Sequence, residues 1–291
     1  MTIFNYEQAF IRNLGWVTKA EQQKIKNAKV AIIGMGGVGG HHAHCLARIG
    51  FSNFVISDLD QFELQNFNRQ FGAKMSTVGI DKTEAIKAEI QDINPNSIIK
   101  TFPEGINKEN MNNFLEGVDV ICDGLDLYAS HLRGPLYELA HKKGVYVITA
   151  GPFGMGTSLM AFSPKAMSFN TYFDLNRDEL TVEAKIIRFF LGMSPTLMHR
   201  KYVASSEDVD LFGGRLPSIH PGCYAASSAL ASTVVKIILG RGKVLYAPWS
   251  FQVDFYLNKT KKTYLPFGNK NWWQKIKIRS AHTMFKVKEF N

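Results

Sequence analysis

The chain has 291 residues, 45% of them hydrophobic and 20% charged, with a formal net charge of +9. That leaves room for one large domain or two small ones around an ordinary globular core, and it excludes a low-complexity chain. The charge lies at one end: residues 240–291 hold 11 Lys/Arg against two acids, while 1–239 balance at 23 of each. Such asymmetry points to an anionic partner, nucleic acid or acidic protein, or else to a solvated tail with no partner.

The first residues show neither the basic start nor the apolar core of a signal peptide. The longest uncharged run, 144–163, contains Pro152 with Gly151, Gly154 and Gly156, a poor membrane helix. No membrane association is expected. Three dispersed cysteines (Cys45, Cys122, Cys223) make neither a disulfide framework nor a paired CxxC zinc motif, which fits a reducing, cytoplasmic setting.

In chain order, residues 6–27 read as helical. Val30-Ala-Ile-Ile then makes a short buried strand, followed by Gly34-Met-Gly36-Gly37-Val-Gly39 and a helix over 38–49 that Gly50 ends. A second apolar strand, 54–57, runs into Asp58-Leu-Asp60. The glycines let backbone approach a phosphate, the helix aims its N–H groups at that anion, and the acid suits a ribose. This is a nucleotide-binding βαβ unit.

A polar loop over 61–77 is long for an αβ connection and is a candidate functional loop. Residues 80–93 are amphipathic and stop at Asn94-Pro95. Strands over 98–102, 118–122 and 145–150 alternate with helices over 110–115 and 128–143. That rhythm predicts an α/β, Rossmann-like, mostly parallel sheet with helices on both faces. Beyond Gly151 it changes: helices over 183–192 and 223–239 flank a loop-rich stretch, and 244–265 gives two or three antiparallel strands. Trp272, Trp273 and the lysines around them resist assignment. Three segments are expected: an N-terminal helical arm (1–28), the main domain (29–258) and a basic C-terminal segment (259–291).

The glycine loop and one acid would suffice for an NAD-dependent oxidoreductase, the reading from another class. Here the loop adds Asn66, Arg69 and Gln70, the next helix opens on Gly79-Ile-Asp-Lys82, and strand four ends in Cys122-Asp123-Gly-Leu125-Asp126. Two extra cations and an extra carboxylate are excessive for NAD. They suit a triphosphate under attack, with cations neutralising the leaving pyrophosphate and a carboxylate holding Mg²⁺.

At this point the chain resembles the E1-like adenylating enzymes, represented in bacteria by ThiF, MoeB and HesA. The resemblance rests on Gly34-x-Gly36-Gly37-x-Gly39, Asp58-x-Asp60, Asn66-x-x-Arg69-Gln70, Gly79-x-x-Lys82 and Asp126, in that order. It implies ATP and Mg²⁺ as cofactors and an adenylyltransferase that activates a carboxylate with pyrophosphate release. By the same resemblance Gly37 lies against the α-phosphate and Asp58 holds the ribose. Asn66, Arg69 and Lys82 contact the phosphates, and Asp126 is the metal ligand. Asp60 and Leu125 lie beside the nucleotide. Arg12, before the first strand, matches an arginine that reaches a partner subunit's site, which would make the protein a homodimer; an ordinary surface arginine is the plainer reading.

The sequence departs from the family where Thr-Asp-Asn reads Leu125-Asp126-Leu127 and where His131 replaces an arginine. The leading substrate is the C-terminal carboxylate of a ubiquitin-like protein or peptide. The first alternative is a tRNA threonylcarbamoyladenosine dehydratase-like enzyme, whose tRNA the basic end would suit, and a non-catalytic scaffold subunit is another. Cys223, at a helix start after Pro221-Gly222, is either a nucleophile or a small core thiol; the core reading is preferred. His41, His42 and His44 read as helix-surface histidines rather than metal ligands. Asp123 caps or orients. The pair Trp272-Trp273 either stacks on bases or packs the tail onto the sheet.

Overall fold

A computed structural model describes residues 3–177, 179–205, 207–214 and 216–290. The chain divides into two compact units, residues 1–125 with 227–244, and residues 126–226 with 245–291.

In the first unit, helices α1 (Tyr6–Ala9) and α2 (Lys19–Asn27) precede strand β1 (Lys29–Ile33), helix α3 (Gly39–Ile49) and strand β2 (Asn53–Ser57). Helix α4 (Lys82–Ile93), β3 (Ile98–Phe102), α5 (Met111–Phe114) and β4 (Val120–Asp123) follow. All pairings here are parallel, with Val30 opposite both Phe54 and Val120, and they give the order β3-β2-β1-β4. Val30, Ala31 and Ile32 are wholly buried, as a central parallel strand demands. Helix α3 packs on β1 and β4 and against α4.

The expected helix over 6–27 is broken in two. A 3-10 turn at Ile11–Asn13 and Gly15 at φ 107° interrupt it, and α2 restarts at Thr18, whose side chain forms a reciprocal capping box with Glu21. The polar loop is ordered. Phe62 is buried, its N–H donates to the Ile80 carbonyl at 3.0 Å, and Gly79 donates back to the Phe62 carbonyl at 2.9 Å.

The second unit opens with α6 (Ser130–Lys143), β5 (Tyr146–Phe153) and β6 (Gly156–Phe162), then α7 (Phe169–Phe173) and α8 (Val182–Met193). It ends with β7 (Trp249–Asp254), β8 (Lys259–Tyr264) and α10 (Trp272–Phe285). Its strands pair antiparallel in the order β5-β6-β7-β8. The α/β class with antiparallel C-terminal strands is therefore what the chain adopts. Strand β6 was missing from the sequence reading. It is buried throughout, with Thr157 Oγ1 donating to the Gly151 carbonyl at 2.9 Å and Ser158 Oγ to that of Met193. Small hydroxyls with partners tolerate a core strand that an apolar count overlooks.

The C-terminal segment is folded rather than a solvated tail. Ile278 and Ala281 of α10 join Ile186, Ile187 and Leu191 of α8 in one cluster, and Gln274 Nε2 donates to the Leu191 carbonyl at 2.8 Å. Packing is thus onto α8, not onto the sheet. Helix α9 (His220–Leu239) has its first turns in the second unit and the rest in the first. It is long and apolar enough to cross a membrane, but half of that stretch is buried, and Ala226, Leu230, Ala231 and Val234 face protein. We read it as a core helix.

His41 and His42 correct the surface expectation, being 2% and 0% exposed. Ser227 Oγ donates to the His41 carbonyl at 2.8 Å, and the Phe71 ring lies against His41 and stacks on His44 at 4.2 Å. Burial, with the neighbouring His41, drives His42 down to about 3; Asp123 opposes this. His42 is thus neutral in the fold, whereas an unfolded imidazole takes up a proton near 6.5. The stability it contributes is complete above that value and is lost as pH falls toward 3. Urea unfolding at pH 7 and pH 5 should show wild type losing about 2 kcal/mol more than His42→Leu over that interval.

Candidate functional site

Strand β1 delivers the chain into the turn Gly34–Gly39, and two of its glycines are obligatory. A Cβ on Gly34, at φ +83°, would lie 2.6 Å from the Gly124 carbonyl oxygen, and one on Gly39 would lie 1.6 Å from that of Gly34. Gly36 and Gly37 sit half-buried at the tip. No side chain caps the start of α3, so its first N–H groups remain available to an anion.

Asp58 ends β2 and binds this turn directly. Its Oδ2 accepts from Met35 N–H at 2.5 Å and its Oδ1 from Asp60 N–H at 2.8 Å. A carboxylate has about four lone-pair sites, so both oxygens can still accept from hydroxyls. Burial raises its carboxyl above the usual Asp value, and the nearby Lys82 cation and the two amide bonds only partly offset this.

Lys82 is the first residue of α4. Its Nζ lies 2.9 Å from Asp60 Oδ2, its backbone N–H donates to the Asp60 carbonyl at 3.0 Å, and its side chain is 6% exposed. Asp60 is therefore the partner of Lys82. Arg69 directs its guanidinium to the Gln65 carbonyl at 2.9 Å and to Asn68 Oδ1 at 3.0 Å. Its own carbonyl lies 3.0 Å from His41 Nε2, which ties the cation-bearing loop to the first turn of α3. Asn66 is buried and its Oδ1 accepts from Glu63 N–H at 3.0 Å, closing the 3-10 turn that carries it.

The structure thus joins Asp58 to the glycine turn, Asp60 to Asp58 and Lys82, and the Arg69 backbone to the first turn of α3, while the Arg69 guanidinium and the Asn66 side chain bond within their own loop. Leu125 closes the same unit, its N–H held by Asp123 Oδ1 at 2.9 Å, so Asp123 orients the turn. Asp126 is the next residue in the chain and is exposed; its carbonyl accepts from Ala129 N–H and from Arg133 Nη2, each at 3.1 Å. Arg12 is exposed on its 3-10 turn. Among the described residues no group of three or more His, Cys, Asp or Glu is placed to hold a metal. One carboxylate beside substrate phosphates can suffice for Mg²⁺.

Two contributors were not assigned from sequence. Gln70 is buried beside Gly36, its Nε2 3.7 Å from where a Cβ would be, and its Oε1 has no hydrogen-bond partner among the described residues. His41 supports the Arg69 backbone. The Asn66-x-x-Arg69-Gln70 run drew attention to the first; nothing in a helix-periodic His41-His42-Ala43-His44 pointed to the second. Arg133, two residues beyond His131, is 2% exposed and lies over the Phe189 ring at 4.3 Å. Cys223 is wholly buried, as the core reading expected, with Ser218 Oγ 3.9 Å from its sulfur.

The site sits within a recognisable chain. The model of the ThiF family matches residues 10–276. A tRNA threonylcarbamoyladenosine dehydratase of Bacillus subtilis is 36% identical over 126 residues, 42% of this chain and 50% of that protein. The adenylyltransferase and sulfurtransferase UBA4 of Saccharomyces cerevisiae is 32% identical over 150 residues, 52% of this chain and 33% of that protein. The chain thus spans half or less of the length of these relatives. Among solved structures, E. coli MccB with ATP superposes with a TM-score of 0.64 at 20% identity, over 88% of this chain and 69% of that one, a likeness of fold. On the match across most of its length, the chain belongs to the ThiF family.

Proposed function

We propose that the protein is an ATP-dependent adenylyltransferase that activates a carboxylate as an acyl-adenylate and releases pyrophosphate. What supports this reading is the bond of Asp58 to the glycine turn, with Lys82 seated on Asp60 and the Arg69 backbone tied to the first turn of α3; two such cations are more than a nicotinamide cofactor needs. The ribose hydroxyls donate to the remaining lone pairs of Asp58, and the phosphates lie over Gly36 and Gly37 at the start of α3. On nucleotide binding, Arg69 exchanges two neutral acceptors for phosphate oxygens, and Lys82 divides its three N–H donors between Asp60 and the phosphates. Both are inexpensive changes, because each cation gains a charge-assisted bond. Asp126 is the residue that would hold Mg²⁺, which when bound supplies further charge cancellation on the phosphates. In-line attack at the α-phosphate needs positioning and charge neutralisation more than an acid or base.

The proposed acceptor is the C-terminal carboxylate of a ubiquitin-like protein or peptide, with Arg12 completing the site of a second copy in a homodimer in the cytoplasm. A dehydratase-like reaction on a threonylcarbamoyl group of tRNA uses the same site. The 36% identity to the Bacillus subtilis dehydratase supports that second reading.

Pyrophosphate–ATP exchange with candidate carboxylates tests the chemistry: Arg69→Ala and Asp126→Ala should each lower it about 10²–10³-fold, and exchange that survives both refutes the assignment. Gly39→Ala should abolish ATP binding in calorimetry, because its methyl meets the Gly34 carbonyl. Asp58 accepts from ribose hydroxyls more strongly as a carboxylate than as an acid, so ATP affinity should fall with acid at a pH above the ordinary Asp range, and Asp58→Asn should flatten that profile.

A further inference from the structure

From 255 to 288 the chain has nine Lys/Arg and no acid, so this stretch carries as much charge as the whole molecule's net +9. Helix α10 occupies its second half. One side of α10 is spent on the fold through Gln274, Ile278 and Ala281. Lys277 is spent too, its Nζ donating to the Pro195 carbonyl at 2.7 Å.

The opposite side faces outward and is apolar at its centre. Trp272 and Trp273 are each 58% exposed and Ile276 50%, while Met284, 59% exposed, lies further along at the edge of this side. The two indoles stack on each other at 3.7 Å, forming one apolar slab. Ile276 lies one turn beyond Trp272. Lys275 and Arg279, also one turn apart, run along one flank of this stripe, and neither has a side-chain partner among the described residues.

We propose, against the sequence-based expectation of no membrane association, that this outward side of α10 is a peripheral docking surface for an anionic phospholipid bilayer. Charge complementarity calls for an anion, and the arrangement selects which kind. A phosphate polymer pairs with Lys275 and Arg279 but leaves Ile276 and Met284 in water, and the mutual stacking of the indoles withdraws one face of each from bases. A bilayer interface takes both parts: cations meet headgroups while the indoles and aliphatic groups enter the boundary with the acyl chains. The helix lies in the plane of the surface with its inner side still packed on α8. The proposal rests on residues other than those of the glycine turn and stands whether or not the adenylation reading does.

Sedimentation of the full chain with vesicles of phosphatidylcholine alone, and of equimolar phosphatidylcholine and phosphatidylserine, tests it. Binding to the anionic vesicles alone is expected, weakening as salt rises and accompanied by a blue shift of tryptophan emission. K275Q/R279Q should weaken it about 25-fold, roughly fivefold per basic residue removed. W272A/W273A should remove the blue shift and most of the binding. Circular dichroism and ATP binding, both unchanged, show that the variants remain folded. Failure to bind anionic vesicles, equal binding to neutral ones, or binding that both variants retain would overturn the proposal. So would tighter binding of tRNA that the same substitutions abolish, which would assign the surface to nucleic acid.

Discussion

The Asp58 carboxylate bridges two backbone amides, one from the glycine turn and one from its own strand end, and the geometry of the site follows from that bridge. Met35 N–H fixes where the turn sits above β2, and Asp60 N–H fixes the direction in which the chain leaves it. Asp60, so directed, receives both the side chain and the backbone of Lys82. One buried acid therefore sets the turn, the loop and the start of α4 together. The cost is visible in its own acidity: burial outweighs two amide bonds and a nearby cation, so the charge is held at the expense of solvation.

That local arrangement explains why the nucleotide side of the molecule has so little net charge. Residues 1–254 carry 25 basic and 24 acidic groups. A long-range field screened within about 8 Å at physiological salt would do little to hold a triphosphate in one pose. In the proposed function, directed N–H groups of a helix start and two cations seated by hydrogen bonds would act at contact distance instead. The excess lies instead at the other end, where residues 255–291 hold nine Lys/Arg against one acid; apart from Lys270 beside Asp174 and Lys277 on the Pro195 carbonyl, these cations do not order the fold. The two charge distributions serve different purposes, a distinction that the total conceals.

Much of the site was legible in the sequence because its parts are short and chemically unmistakable. A buried strand, glycines, a helix and an acid at the end of the next strand leave few alternatives for the backbone, and Asn66, Arg69 and Lys82 follow at loop and helix starts. What stayed hidden depends on contacts across the chain. The burial of His41 and His42 comes from Phe71 and from Ser227, which lies nearly two hundred residues later, and no helical periodicity encodes that. Strand β6 hid behind Thr157 and Ser158, whose polarity is cancelled by partners at Gly151 and Met193. The break after α1 turned on a single positive φ at Gly15, among residues with good helix propensity.

Gln70 shows how such hidden contacts bear on the reading of the site. A buried amide oxygen with no partner costs roughly 1–3 kcal/mol, and a fold selected for stability alone would replace it with an apolar side chain of similar size. It persists here beside Gly36, at the tip of the turn, where a side chain on the glycine would close the approach. His42, wholly buried one helical turn away and pushed far down its titration range, is a second expense in the same few residues. An unpartnered amide oxygen beside Gly36 and a neutral, buried imidazole on the helix that follows mark where this stretch gives up stability.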